Sequence, residues 1–86
     1  SIAVGNVVIT APNAATVQIN QTSQKAIINW QSYNVAAHER VHYQQPNAQS
    51  ITLNRINPQN GVSQIFGTIT ANGQVWLVNP AGIWFG

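Results

Sequence analysis

Both histidines of this 86-residue chain lie in one short string, His38-Glu39-Arg40-Val41-His42. Its H-E-x-x-H spacing is that of zinc proteases, in which two histidines one helical turn apart grip the metal and the glutamate faces the metal-bound water. That chemistry needs a helix and a third protein ligand. The residues around the string alternate instead, with Val41 and Tyr43 set against Arg40, His42 and Gln44. A period of two marks a strand. On a strand the two histidines stand roughly 13 Å apart at ~3.3 Å per residue, too far to share an ion bound at ~2.0–2.1 Å. The chain has no other histidine or acidic residue and no cysteine. A coincidental string in a strand and its preceding loop is the better reading, and no metal or cofactor is expected.

Other constellations are thinner. Without Asp no Ser-His-Asp triad can form, and with one carboxylate no paired-carboxylate site exists. The glycines do not build a phosphate-cradling loop ahead of a helix. Trp30, Trp76 and Trp84 could form an aromatic platform, but in strands such residues are more often core. No enzyme is expected.

The elements that would have to position any site are strands. Val17 and Ile19, Ile51 and Leu53, and Ile65, Gly67, Ile69 and Ala71 all alternate with their neighbours. Strands are expected near 2–10, 15–20, 25–30, 40–45, 50–56, 64–71, 74–78 and 83–85. Asn-Pro, Asn-Gly and related pairs punctuate them, and Asn79-Pro80-Ala81-Gly82 suits a type I turn. Val41, Tyr43, Ile51 and Leu53 are taken as inward-facing. Glu39 and Arg55 share their parity. The two therefore either pair between neighbouring strands or lie at strand ends in water.

Only four residues, Lys25, Glu39, Arg40 and Arg55, carry a formal charge, or 5% of the chain against a typical ~25%. The three bases are scattered, so no nucleic-acid-binding patch forms. Asn and Gln together number 21. Uncharged amides can stack on themselves between adjacent strands, where like charges would repel. Gln74–Val78 and Gly82–Phe85 are apolar on both faces, as in parallel sheets covered on both sides. The Asn-Pro turns at Asn57 and Asn79 start 22 residues apart, a plausible coil length. These features favour a β-solenoid over a sandwich or barrel. The absence of an initiator Met and the apolar C-terminal Ile83-Trp84-Phe85 suggest a piece of something longer.

Several segments, in order, resemble the N-terminal secretion domain of two-partner-secretion exoproteins, of the filamentous haemagglutinin and high-molecular-weight adhesin type. Ile28-Asn29-Trp30 with Tyr33 and Val35 is similar to the family's I-x-W-x-x-F-x-V. Glu39-Arg40-Val41-His42-Tyr43, followed by Gln45-Pro46-Asn47-Ala48, is similar to E-x-V-x-F-x-Q-P-x-A. Leu53-Asn54-Arg55-Ile56 resembles L-N-R-V, and Ser63-Gln64-Ile65-Phe66-Gly67 resembles S-x-I-x-G. Ala71-Asn72-Gly73 through Ile83 follows A-N-G-Q-V-F-L-x-N-P-N-G-I. Signature positions thus fall on Glu39, Asn54, Arg55, Asn72 and Gly73.

The resemblance implies an all-β fold, a right-handed parallel β-helix with additional N-terminal capping strands. Residues 1–86 would be one truncated domain, with N-terminal strands in 1–28 and the first β-helix coils in 29–86. It implies a secretion signal and folding nucleus of a large adhesin-type exoprotein. The partner would be the periplasmic domains of an outer-membrane transporter, and the product would be secreted or surface-bound on a Gram-negative bacterium. The family's N-P-N-G-I motif falls on Asn79, Pro80, Ala81, Gly82 and Ile83, with Ala81 replacing the second Asn. The haemagglutinin branch's N-P-N-L motif is absent. A chain without cysteine also cannot be locked by a periplasmic disulfide before export. The alternative is a self-assembling solenoid or fibre subunit, associating through the β-helix end.

Overall fold

The computed structural model describes residues 1–86. Ten strands follow one another: β1 (Ile2–Val4), β2 (Val7–Asn13), β3 (Thr16–Gln21), β4 (Lys25–Trp30), β5 (Arg40–Gln44), β6 (Ile51–Ile56), β7 (Ser63–Ile65), β8 (Thr68–Ala71), β9 (Gln74–Val78) and β10 (Ile83–Phe85). A single 3-10 turn, Pro58–Asn60, separates β6 from β7.

The strands stack into three faces. One sheet has the order β1-β4-β6-β9, a second has β2-β3-β5-β8, and β7 pairs with β10. From β3 onward every pairing is parallel, and Val35 bridges to Ile65 on the third face. The path through β3, β4 and Val35 is the first coil. Strands β5, β6 and β7 make the second coil, and β8, β9 and β10 the third. This is the parallel β-helix expected. Only β1 and β2 run antiparallel, on β4 and β3, and they cover its N-terminal end. β3 is the first strand on its sheet to take a parallel partner, pairing antiparallel with β2 on one side and parallel with β5 on the other.

Rows of register partners fill the interior. Val17, Val41 and Ile69 form one row, and Ile19 and Tyr43 the next, which ends on exposed Ala71 in the last coil. On the first sheet the inward rows are Ala26-Thr52-Val75 and Ile28-Asn54-Leu77. The apolar core joins Ile19, Ile28, Tyr33, Val35, Val41, Tyr43, Ile56 and Ile65. Burial of these side chains is the main driving force for coil stacking, at about 1.5–3 kcal/mol for each large aliphatic or aromatic residue.

Several expectations are corrected. Val41 and Tyr43 do face inward, but β6 is inverted. Thr52, Asn54 and Ile56 are buried, while Ile51, Leu53 and Arg55 point out. Alternation locates a strand without saying which parity is inside when both parities mix polar and apolar residues. Of the two alternatives for Glu39 and Arg55, the pair between strands does not form. Arg55 Nε donates to Asn29 Oδ1 at 2.9 Å, and Glu39 Oε1 accepts from the Ala36 N–H at 2.8 Å.

Nor are all three tryptophans core. Trp30 packs edge-on against Tyr33, but Trp76 and Trp84 are 57% and 64% exposed. With Val78 they leave the outer faces of β9 and β10 uncovered within these residues, while Phe85, in the row of buried Ile65, is exposed at the end of the coils.

The expected strands 2–10 and 64–71 each break in two, at Gly5-Asn6 and Phe66-Gly67. The second break is a corner of the coil. Pro12 lies in β2 within a register shift of this edge strand, where its missing N–H costs no ladder bond. The actual hairpin turn is Ala14-Ala15, between the register partners Asn13 and Thr16.

Candidate functional site

The segment Asn79–Ile83 links β9 to β10 at the C-terminal end of the coils. Asn79 is 8% exposed, and its side chain satisfies three groups. Its Oδ1 accepts from the Ala81 N–H at 2.9 Å, and its Nδ2 donates to Gly61 O and Ser63 Oγ, both at 3.0 Å. The Asn79 carbonyl accepts from the Gly82 N–H at 2.9 Å, which closes the turn. Pro80 supplies the fixed φ of the second position. Gly82 takes φ 114, a conformation L side chains rarely adopt, and its carbonyl accepts from the Ser63 N–H at 3.0 Å. That bond starts the parallel pairing of Ile83 with Ser63. Ala81 is exposed, so the turn closes without the second Asn.

Asn57-Pro58 builds a related turn one coil earlier. Asn57 Oδ1 accepts from the Gln59 N–H at 2.9 Å, and Asn60 Nδ2 donates to Gln31 O at 2.7 Å. Here the exit is a 3-10 turn.

The other signature positions do not gather round this turn. Asn72 and Gly73 sit at the corner between β8 and β9. Asn72 Nδ2 donates to Gln45 O and its Oδ1 accepts from the Gln45 N–H, both at 2.6 Å. Asn54 lies inside the first sheet, and Arg55 on that sheet's outer face. Glu39 ends the loop before β5, where its side chain and main chain both bond Ala36. His38 is exposed in that loop. His42 sits on β5 with Nδ1 2.7 Å from Thr70 Oγ1, so the helix that H-E-x-x-H requires is not formed. A 350 Å³ cleft opens beside Arg55, Asn29 and Trp30, with Asn57 and Ile56 on its wall.

A buried polar network joins residues that patterning alone does not bring together. Trp30 Nε1 donates to Asn54 Oδ1 at 2.9 Å, and Tyr43 Oη donates to the same oxygen at 3.1 Å. The two tyrosine hydroxyls are 2.7 Å apart. Because Tyr43 gives its one proton to Asn54, Tyr33 is the donor between them. Burial pushes both phenols above their ordinary value near 10, and on Tyr43 the neighbouring Tyr33 adds to the effect. Such groups bind, stack and position; they do not supply a nucleophile or base near neutral pH.

The TPS secretion-domain family model matches residues 2–86. This chain belongs to the TPS secretion-domain family. The crystal structure of the HMW1 secretion domain from Haemophilus influenzae superposes with a TM-score of 0.91 at 34% identity, covering 100% of this chain and 22% of that one. A heme/hemopexin-binding protein of Haemophilus influenzae is 40% identical over 79 residues, which is 92% of this chain and 8% of that protein. Its counterpart in strain Rd is 37% identical over 82 residues, 9% of its length. TPS secretion domains serve the export of exoproteins through Gram-negative two-partner systems, and an outer-membrane transporter recognises them. The TPS domain described here is thus a segment of a secreted or cell-surface protein. The family is one of secretion domains of exoproteins.

Proposed function

We propose that this chain is the segment of an adhesin-type exoprotein that the periplasmic domains of its outer-membrane transporter bind, and the nucleus on which the rest of the β-helix folds outside the cell. The observation that carries this reading is the difference between the two ends of the coils. Antiparallel β1 and β2 close the N-terminal end. At the other end β8, β9 and β10 hold their main-chain groups in parallel register with one free edge each. An edge of that kind accepts another strand, from a following coil or from a partner by β-augmentation. The Asn79–Ile83 turn fixes the last of these edges, so turn geometry and template are one unit. Site roles for Asn79, Pro80, Gly82 and Ile83, and for the signature residues Glu39, Asn54, Arg55, Asn72 and Gly73, belong to this proposal.

The test is export of the full exoprotein with its transporter, read as the fraction in the medium against the fraction held in the periplasm. Gly82→Val, which the backbone at φ 114 does not accommodate, should lower export at least tenfold. Gln31→Ala, at an exposed position away from the turn, should leave export unchanged. Equal export by both variants would refute the role of the turn.

A further inference from the structure

One corner of the coils carries a row of buried amides. Gln21 ends β3, Gln45 follows β5 and Gly73 follows β8; extending the strand registers by one or two residues stacks the three. Gln21 and Gln45 are 4% and 3% exposed. Gln21 Nε2 donates to the carbonyl of Ile51 at 3.2 Å, and Gln45 Nε2 donates to the carbonyl of Gln74 at 2.9 Å. Ile51 and Gln74 are themselves register partners. The same bond therefore recurs one coil on, and each time it reaches forward.

The remaining valences are filled in the same sense. Each amide uses its second N–H within its own coil, on Ser23 O at 2.8 Å for Gln21 and on Thr52 Oγ1 at 3.0 Å for Gln45. The amide oxygens accept from the coil above: Thr52 Oγ1 donates to Gln21 Oε1, and the Gly73 N–H donates to Gln45 Oε1 at 2.8 Å. Neither glutamine side chain bonds a preceding coil. No buried side-chain polar atom is left without a partner. The row stops at Gly73, where a Cβ would lie 2.8 Å from Gln45 Oε1.

We propose that Gln21 and Gln45 act as forward latches, each holding the coil that follows it, so that stability along the β-helix depends one way, from the N-terminal cap outward. When a following coil detaches, its latch loses two partners and is left at an open end. The latch's own coil keeps its core and its ladder to the coil below. A buried amide stripped of its partners is costly, so the loss falls on the interface above the latch. The inference rests on the folding-nucleus reading and gives it a direction.

Hydrogen exchange on the folded full-length exoprotein tests it. Gln45→Met keeps the length of the side chain and removes its bonds. It should speed exchange at least tenfold in β8 and β9 while β3 and β4 stay within twofold of the parent. Gln21→Met should extend the loss to β5 and β6. If Gln45→Met proves too disruptive, Gln45→Glu keeps the side chain's length and shape but replaces the amide N–H donors with an acceptor, and should give the same pattern. Uniform acceleration across all coils, or no change in β8 and β9, overturns the proposal. Pulse labelling during refolding separates the two ideas. If β3 and β4 gain protection last while the equilibrium pattern holds, the nucleus reading fails and the latches stand.

Discussion

Asn54 has no solvent exposure, and four polar groups meet through it. It accepts from Trp30 and Tyr43 and donates to the Trp76 carbonyl at 3.1 Å, while Tyr33 joins through Tyr43. Replacing it with Ala takes the acceptor from the Trp30 indole N–H and from the Tyr43 hydroxyl, and the side-chain donor from the Trp76 carbonyl. An expected loss of roughly 2–4 kcal/mol follows from unpaired groups and the cavity together, measured by urea denaturation. The same network makes a pH prediction. Tyr33 and Tyr43 are held above the ordinary phenol value near 10 by burial. Above that pH the unfolded chain releases these protons and the folded chain keeps them. Their contribution is complete below about pH 10 and is lost as pH rises, with a slope of up to ~2.7 kcal/mol per pH unit for the two groups. Denaturation midpoints at pH 9 and 11 should show the drop, and Tyr43→Phe should reduce its slope.

At the scale of elements, the corners carry the strictest demands. At Gly67 the coil turns from the third face into β8, and a Cβ there would lie 2.3 Å from both Ala36 O and Glu39 O. Both are main-chain atoms and cannot swing aside. Gly67→Ala should therefore cost about 1–3 kcal/mol or more by overpacking, checked by the same denaturation series. Ala81 is the opposite case. It is exposed and the turn closes around it, so Ala81→Asn should shift stability by no more than about 0.5 kcal/mol. A change in export without a change in stability would then report a partner contact by that side chain. The same contrast explains how far the sequence could be read. Strand periods, the Asn79 turn and the solenoid class were legible, because alternation and Asn-Pro-x-Gly chemistry are local. The parity of β6 was not. Thr52 and Asn54 are buried because Gln21 and Trp30 satisfy them from the preceding coil and Gln45 and Tyr43 from the neighbouring face of their own, and no local pattern announces partners on other strands. Glu39 and Arg55 misled for the same reason: shared parity with inward neighbours carries no information on the opposite strand. Gln21 and Gln45 do recur one coil apart, but a spacing of 24 residues between two glutamines among ten carries no signal until the strand register aligns them.

At the scale of these 86 residues as a unit, the two ends are not alike, and the difference makes the module and fibre readings predict different assemblies. Head-to-tail stacking of copies needs a free edge at each end that continues the same ladder. The C-terminal end offers one, in three parallel edges with exposed Trp84 and Phe85 beside them. The N-terminal end does not. Strand β1 pairs with only β4 and carries a register shift, and β2 contains Pro12 within a second shift. Such irregularities are the devices that blunt edge-to-edge association. Two copies can meet through their open ends, but a third copy then finds only capped ends. Association is expected to saturate at a dimer across a concentration series in sedimentation velocity. Growth into filaments would show that the cap yields and would favour the fibre subunit over the export module. Deleting Ser1–Asn13 removes the cap and should convert a saturating series into an open-ended one, which makes the cap itself the element under test.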